Sequence, residues 1–169
     1  EWSDPGGRAL VLPWTEITGG AALEMAAAQI AAAERRVRGL STGIGSALAT
    51  GRTLLEGQPE CWRRVLDLSG DGPSNAGPTP QAVRATLPAW MVVNALSVGA
   101  MAPFGSADAP PSTDILADYF RRAVIRGPGA FVETATGYED YAAAMERKLI
   151  RELAALTLGA VKDRPDRRQ

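Results

Sequence analysis

The sequence predicts an α/β fold with a mainly parallel, doubly wound sheet and helices on both faces. Short apolar strands alternate with helical patterns along most of the chain, which is typical of this class. Apolar residues make up 46% and charged residues 22% of 169 residues, which is enough chain to bury a core. We expect a single domain over residues 1–158, followed by a flexible, Arg-rich tail over 159–169.

Two strands and two helices are expected in the first third of the chain. They are a hairpin of residues 1–3 and 8–14, a helix over 21–37, and a second helix from the run 41–45 to Leu55. The hairpin is assigned to a sheet edge because Pro13 cannot donate to a strand ladder. Gly39 is expected to end the first helix, whose small apolar residues recur at helical spacing.

The remaining chain predicts three strands and three helices. They are a strand over 62–69, a helix from Thr79 that Pro88 ends, a strand over 90–98, a loop over 100–111, a helix over 112–124, a strand over 130–134 and a helix over 138–158. Thr79 is a suitable N-cap with Pro80 at the first helical position. The strand over 90–98 is nearly all apolar, as expected for a strand covered on both faces. The last helix is expected to pack through a stripe of Tyr141, Met145, Leu149, Leu153 and Leu156.

Composition excludes several classes of function. The chain has no histidine, which excludes Ser-His-Asp and Cys-His catalysis and every His-ligated zinc site. A net charge of −1 argues against nucleic acid or an anionic membrane as a partner. No apolar run approaches the roughly 20 residues that span a bilayer. The single cysteine, Cys61, is expected to be a semi-buried structural thiol.

Oxygen-bearing side chains follow two of the predicted turns. Thr42 and Ser41 precede the second helix, while Asp71 follows a strand, with Ser69 and Asn75 nearby. Hard cations such as Mg²⁺ prefer such oxygens, and ligands collect at the carboxyl ends of parallel strands. One carboxylate with hydroxyls makes a weak, open site that recruits an acidic group from a partner. The alternative is structural: Thr42 caps a helix and Asp71 fills an Asx-type turn.

Two segments, 41–48 and 64–75, resemble the second and third metal motifs of a von Willebrand factor A domain. The closer likeness is to a bacterial, mostly proteobacterial, family of unknown function with that fold, to which residues 1–3, 124–132 and 146–152 are also similar. The likeness covers nearly the whole chain. It implies a Rossmann-like fold and a metal ion-dependent adhesion site. In such a site Thr42 and Asp71 would hold Mg²⁺ or another divalent cation, and Ser41, Ser69 and Asn75 would contact a protein partner.

The resemblance also implies a missing part. Such domains place an Asp-x-Ser-x-Ser motif after their first strand, and this motif does not occur here. The first strand and helix would lie before Glu1, so we expect an N-terminally incomplete domain. The favoured explanation is a fragment of a longer protein; alternatively another polypeptide supplies the strand, or the sheet edges pair differently. A site of Thr42 and Asp71 alone should be weak or empty.

These observations predict a module for protein–protein adhesion or assembly rather than an enzyme. One alternative is a structural subunit of a larger complex with a vestigial metal loop. A less favoured one is a metal-dependent hydrolase, with Asp67, Glu133 or the missing segment as general base. Asp67 is otherwise expected to be a buried, hydrogen-bonded carboxylate, and Arg121 and Arg122 a solvated helix face or an anion contact. Resemblance alone favours a periplasmic or secreted location.

Overall fold

A computed structural model describes residues 1–58, 61–99 and 112–162, without the side chains of 112–114 and 155–162. The chain divides into two compact units. One contains Glu1–Pro59 and Ser74–Leu87, and the other contains Glu60–Pro73 and Pro88–Gln169. The predicted loop over 100–111 and the side chain of Leu156 lie outside the described residues.

A parallel three-stranded sheet forms the centre of the second unit, in the order β1-β2-β3. The strands are β1 (Arg64–Gly70), β2 (Met91–Val98) and β3 (Val132–Ala135). In the parallel register Asp67 lies beside Asn94, and Ala95 lies beside Val132. The α/β class and the parallel sheet are therefore confirmed, although the described sheet is small.

Burial differs sharply between neighbouring strands. All eight residues of β2 are buried, which confirms the prediction of a strand covered on both faces. In β1 only Leu68 is buried. Two helices of this unit, α4 (Ser112–Ala123) and α5 (Tyr141–Lys162), pack against β2 and β3. Under α5 a core cluster joins Leu96, Val98, Ala135 and Ala144.

The described residues of the first unit form three helices. They are α1 (Gly20–Ala31), α2 (Ile44–Glu56) and α3 (Pro80–Thr86). Thr79 caps α3 as predicted, because its side chain accepts a hydrogen bond from the Ala82 amide at 3.4 Å. A Cβ at Gly45 would lie only 2.1 Å from the Pro78 carbonyl oxygen, so the start of α2 requires glycine there.

Two predicted elements of the first unit are shorter than expected. Residues 8–14 form no strand; a single antiparallel bridge joins Trp2 to Arg8, because the described part of this unit offers no strand to continue the ladder. The helix predicted over 21–37 ends at Ala31. The amides of Arg36 and Val37 donate instead to the Glu1 carboxylate, at 3.0 and 3.1 Å, which removes them from a helical ladder.

Two expectations in the second unit also need correction. Cys61 is exposed rather than semi-buried, because it lies in the connection before β1 begins. In α5 the predicted stripe is only partly correct. Tyr141 and Met145 pack against the core cluster, but Leu149 is 46% and Leu153 61% exposed, while Lys148 is fully buried. None of the described helices combines the length and apolarity that a membrane crossing requires.

Candidate functional site

Asp71 lies directly after the C-terminal end of β1, where the sequence predicted it. Its side chain is exposed, and the Tyr138 hydroxyl donates a hydrogen bond to Oδ2. Tyr138 begins a 3₁₀ turn, Tyr138–Asp140, that follows β3. The turn after the edge strand β3 thus orients a carboxylate at the end of β1. Sequence reasoning missed Tyr138, since its turn lies 67 residues from Asp71 in the chain.

A cavity of about 380 Å³ lies beside Asp71. We call it the Asp71 groove; its lining includes Asp71, Pro73, Ile115, Leu116, Tyr119 and Arg122. All of these residues belong to the second unit, and four of them project from α4. Most of the lining is apolar, with one carboxylate and one guanidinium among it. The groove therefore offers apolar contact next to two opposite charges.

Thr42 and Asn75 lie together in the first unit. The Asn75 Oδ1 accepts a hydrogen bond from the Thr42 amide at 2.7 Å, and the Asn75 amide donates to the Thr42 carbonyl at 2.9 Å. Ser74 completes the arrangement: its Oγ accepts from the Ile44 amide at 3.2 Å and donates to the Thr42 carbonyl at 3.1 Å. These bonds join the loop before α3 to the start of α2.

The expectation that Thr42 caps α2 is therefore wrong in its detail. The N-cap residue is Gly43, and the side chain that accepts from the first helical amide is Ser74, some 30 residues later. Sequence reasoning missed Ser74, although a serine after Gly-Pro is a common turn residue. Ser41 lies half-buried at the start of the same loop.

The predicted metal ligands and the predicted partner contacts divide between the two units. Ser41, Thr42 and Asn75 belong to the first unit, and Ser69 and Asp71 to the second. Within the described residues, no group of three or more His, Cys, Asp or Glu could hold a metal ion. The exposed carboxylate of Asp71 fits one ligand of an open cation site. It does not by itself make an enclosed one.

A buried charge cluster lies between the sheet and α5. Lys148 is fully buried and forms ion pairs with Asp67 and, at 2.6 Å, with Glu152. The Asn94 amide group donates to Glu152 at 2.8 Å, and its Oδ1 accepts from the Phe131 amide at 3.2 Å. Asp67 is hydrogen-bonded as predicted, but its side chain keeps 35% exposure. A lysine within a helical pattern does not reveal that it points inward, so sequence reasoning missed Lys148.

The two carboxyl groups of this cluster have pKa values that are shifted in opposite directions. The pKa of Asp67 is raised to about 6. Desolvation is the largest cause and the hydrogen bond with Glu152 adds to it, whereas Lys148 opposes both effects. Desolvation acts on Asp67 although 35% of its side chain is exposed, because Lys148 and Glu152 of α5 lie against the carboxylate. Desolvation acts on Glu152 too, but hydrogen bonds with Asp67, Lys148 and Asn94 outweigh it and lower the pKa of Glu152. Of the two carboxyl groups, Asp67 is therefore the one that takes up a proton first as the pH falls.

Comparison with known proteins places the chain in a family. The family model described as Protein of unknown function (DUF1194) matches residues 1–157. No curated protein and no solved structure matches the chain. Because the match spans nearly all of the 169 residues, the chain belongs to the family Protein of unknown function (DUF1194).

Proposed function

We propose that this chain is a protein-interaction module for adhesion or assembly, with a von Willebrand factor A-like fold, that binds its partner at the C-terminal end of β1. The observation that supports the proposal is the exposed Asp71 carboxylate at that end, oriented by the Tyr138 hydroxyl. Open parallel sheets bind ligands at this edge. The likeness of residues 64–75 to a metal motif adds support.

The proposed chemistry uses a divalent cation such as Mg²⁺. Asp71 is its proposed carboxylate ligand, and Thr42 is a second ligand predicted from the sequence. When bound, the cation would supply a positive centre that attracts a carboxylate of the partner. Ser41, Ser69 and Asn75 are the proposed partner contacts. The Asn75 Oδ1 is engaged by the Thr42 amide, so its contribution would come from its NH₂ group.

The cation is tested on the whole chain with Mn²⁺, which broadens nuclear magnetic resonance signals near its binding site. We expect broadening of the Asp71 and Gly72 amide signals, reversal by EDTA, and loss in Asp71→Ala. Glu146→Ala removes an exposed acid from α5 of the same unit and should leave the broadening intact. Equal broadening in Asp71→Ala and wild type would contradict the proposed ligand.

A second candidate is a structural subunit with a vestigial metal loop. It is favoured by the hydrogen bonds among Thr42, Ser74 and Asn75. These bonds engage polar atoms of the two metal-like motifs in holding the loops together. Under this proposal Asn75→Ala lowers the free energy of unfolding by about 1 kcal/mol and leaves partner binding unchanged. Loss of partner binding with unchanged stability would support the interaction module instead.

We propose a non-enzymatic role. The hydrolase alternative requires a general base, and the two candidates in the described chain are engaged. Asp67 is paired with Lys148, and Glu133 accepts a hydrogen bond from Arg147 at 3.0 Å. A periplasmic or secreted location remains a proposal from resemblance.

A further inference from the structure

We propose that the Asp71 groove binds an apolar side chain of a protein partner, and that a neighbouring carboxylate of that partner pairs with Arg122. The inference rests on the proposed function, because it assumes that a protein binds at this end of β1. It goes further by stating the chemistry of the partner segment: a large aliphatic residue next to an acidic one.

The apolar part of the argument concerns Ile115. Its side chain is 59% exposed at the groove, while the adjacent Leu116 is only 7% exposed and forms part of the packed wall. Removing such a side chain from water is favourable in proportion to the apolar area covered. The groove volume of about 380 Å³ is large enough for an aliphatic side chain. A concave, mostly apolar surface with few polar groups is typical of a binding pocket.

The charged part of the argument concerns Arg122. Its side chain is 74% exposed, and its ion pair with Asp118 is long, at 3.9 Å. Arg121 holds the same carboxylate at 2.7 Å, so Asp118 is already neutralised by a closer guanidinium. Arg122 can therefore turn to a carboxylate from outside, which a guanidinium binds with two parallel hydrogen bonds. Charge complementarity favours an acidic segment at this end of the groove.

The probe is the peptide acetyl-Gly-Leu-Glu-Gly-amide, added to the whole chain labelled at its methyl groups. We expect the Ile115 methyl signal to shift with peptide concentration. Replacing the leucine of the peptide by serine should weaken binding about tenfold, since one apolar side chain is no longer buried. Replacing its glutamate by glutamine should weaken binding several-fold through loss of the charged pair.

Matched variants of the chain locate the contact. Ile115→Ser should lower the affinity for the leucine peptide about tenfold. Ile150→Ser, which changes a residue 60% exposed on α5, should leave that affinity unchanged. Arg122→Gln should abolish the preference for glutamate over glutamine in the peptide. Arg151→Gln alters an exposed arginine of α5 and should preserve that preference. A double-mutant cycle between Arg122 and the peptide acid isolates the pair.

Repeating the titration in EDTA separates this inference from the cation. Binding that survives EDTA and is lost in Ile115→Ser supports the groove even if the Mn²⁺ test fails. Binding that is the same in Ile115→Ser and wild type overturns the groove, whatever the Mn²⁺ result. No shift with the leucine peptide also overturns it. So does a shift of the Ile115 signal on dilution without peptide that persists in Leu66→Lys, a variant of the β1 edge, because a second copy of the chain would then occupy the groove.

Discussion

Lys148 is the residue on which the packing of the second unit depends most. It is the one charged side chain that is fully buried in the described part of the chain. Its ammonium group is balanced by Asp67 and Glu152 and lies 5.9 Å from the centre of the Phe131 ring. A buried pair is costly to break because the remaining charge cannot recover its water. The cluster therefore couples β1 to α5.

Lys148→Met should lower the free energy of unfolding by about 3 kcal/mol, because two carboxyl groups lose their buried cation. Urea denaturation of the whole chain measures the change. Arg147→Met is the matched control on the same helix. Its side chain is 50% exposed and pairs with Glu133 at the surface, so its loss should be clearly smaller. Equal losses in the two variants would contradict a stabilising role for the buried ammonium.

Asp67 predicts a pH dependence of stability. A carboxyl group whose pKa is raised from 3.8 to about 6 on folding binds its proton more tightly in the folded chain. As pH rises through this interval the unfolded chain loses the proton first, so this group's contribution to the free energy of unfolding falls. Glu152 has a lowered pKa, so its contribution is complete above its ordinary value of 4.5 and is lost only below that pH. Between pH 4.5 and about 6, the change in stability that this cluster causes therefore comes from Asp67.

Asp67→Asn should remove this contribution. Relative to wild type, the variant should gain stability as pH rises from 4.5 to about 6, measured by urea denaturation across the interval. Asp118→Asn, a variant of an acid 54% exposed on α4, serves as control. The same trend in both variants would show that the effect does not come from the buried cluster.

Among the elements, α2 depends on a residue from a distant loop. Its first amide, that of Ile44, is satisfied by the Ser74 hydroxyl, while Ile44 and Leu48 pack fully buried. An unsatisfied amide at a helix start is unfavourable unless water or a side chain accepts its bond. The loop before α3 thus stabilises the start of α2, and Gly45 permits its close approach.

Ser74→Ala should lower the free energy of unfolding by about 1 kcal/mol through loss of this cap. Thr53→Ala removes a hydroxyl that bonds the Ala49 carbonyl inside the same helix, at 3.3 Å. Alanine favours a helix interior, so this control should be neutral or slightly stabilising. Thermal or urea denaturation compares the two. Equal stability of the Ser74→Ala and Thr53→Ala variants would contradict a stabilising role for the Ser74 hydroxyl at the start of α2.

At the scale of the whole molecule, the most important feature of the described sheet is that β1 lies at its edge and is partly exposed. No second neighbour pairs with β1 among residues 1–58, 61–99 and 112–162, and six of its seven residues keep partial or greater exposure. An unpaired edge can pair with another chain, and a net charge of −1 provides little repulsion. We therefore expect the chain to self-associate through this edge.

Sedimentation velocity should show this chain associating as its concentration is raised from low micromolar to submillimolar. Leu66→Lys places a charge on the half-buried edge strand and should shift the association to higher concentration. Leu54→Lys changes a residue 43% exposed on α2 and should leave association unchanged. Weaker association in both variants would mean that net charge, rather than the strand edge, controls it.

The sequence by itself determined the elements whose signals are local. Alternation of strands and helices predicted the α/β class. The apolar run of β2 predicted a strand buried on both faces, and Thr79 with Pro80 predicted the start of α3. The turn after β1 placed Asp71 at the strand end. These features depend on a few consecutive residues, so their physical causes are visible in the sequence.

Only the tertiary structure decided which distant groups meet. Lys148 turned inward to Asp67 rather than outward, so Leu149 took an exposed position that the apolar stripe had assigned to the core. Ser74 replaced Thr42 as the capping group, and Tyr138 bonded Asp71. Each of these contacts pairs polar groups from separate elements. Helical spacing and turn composition carry no information on such pairing, because it is set by the packing that brings the elements together.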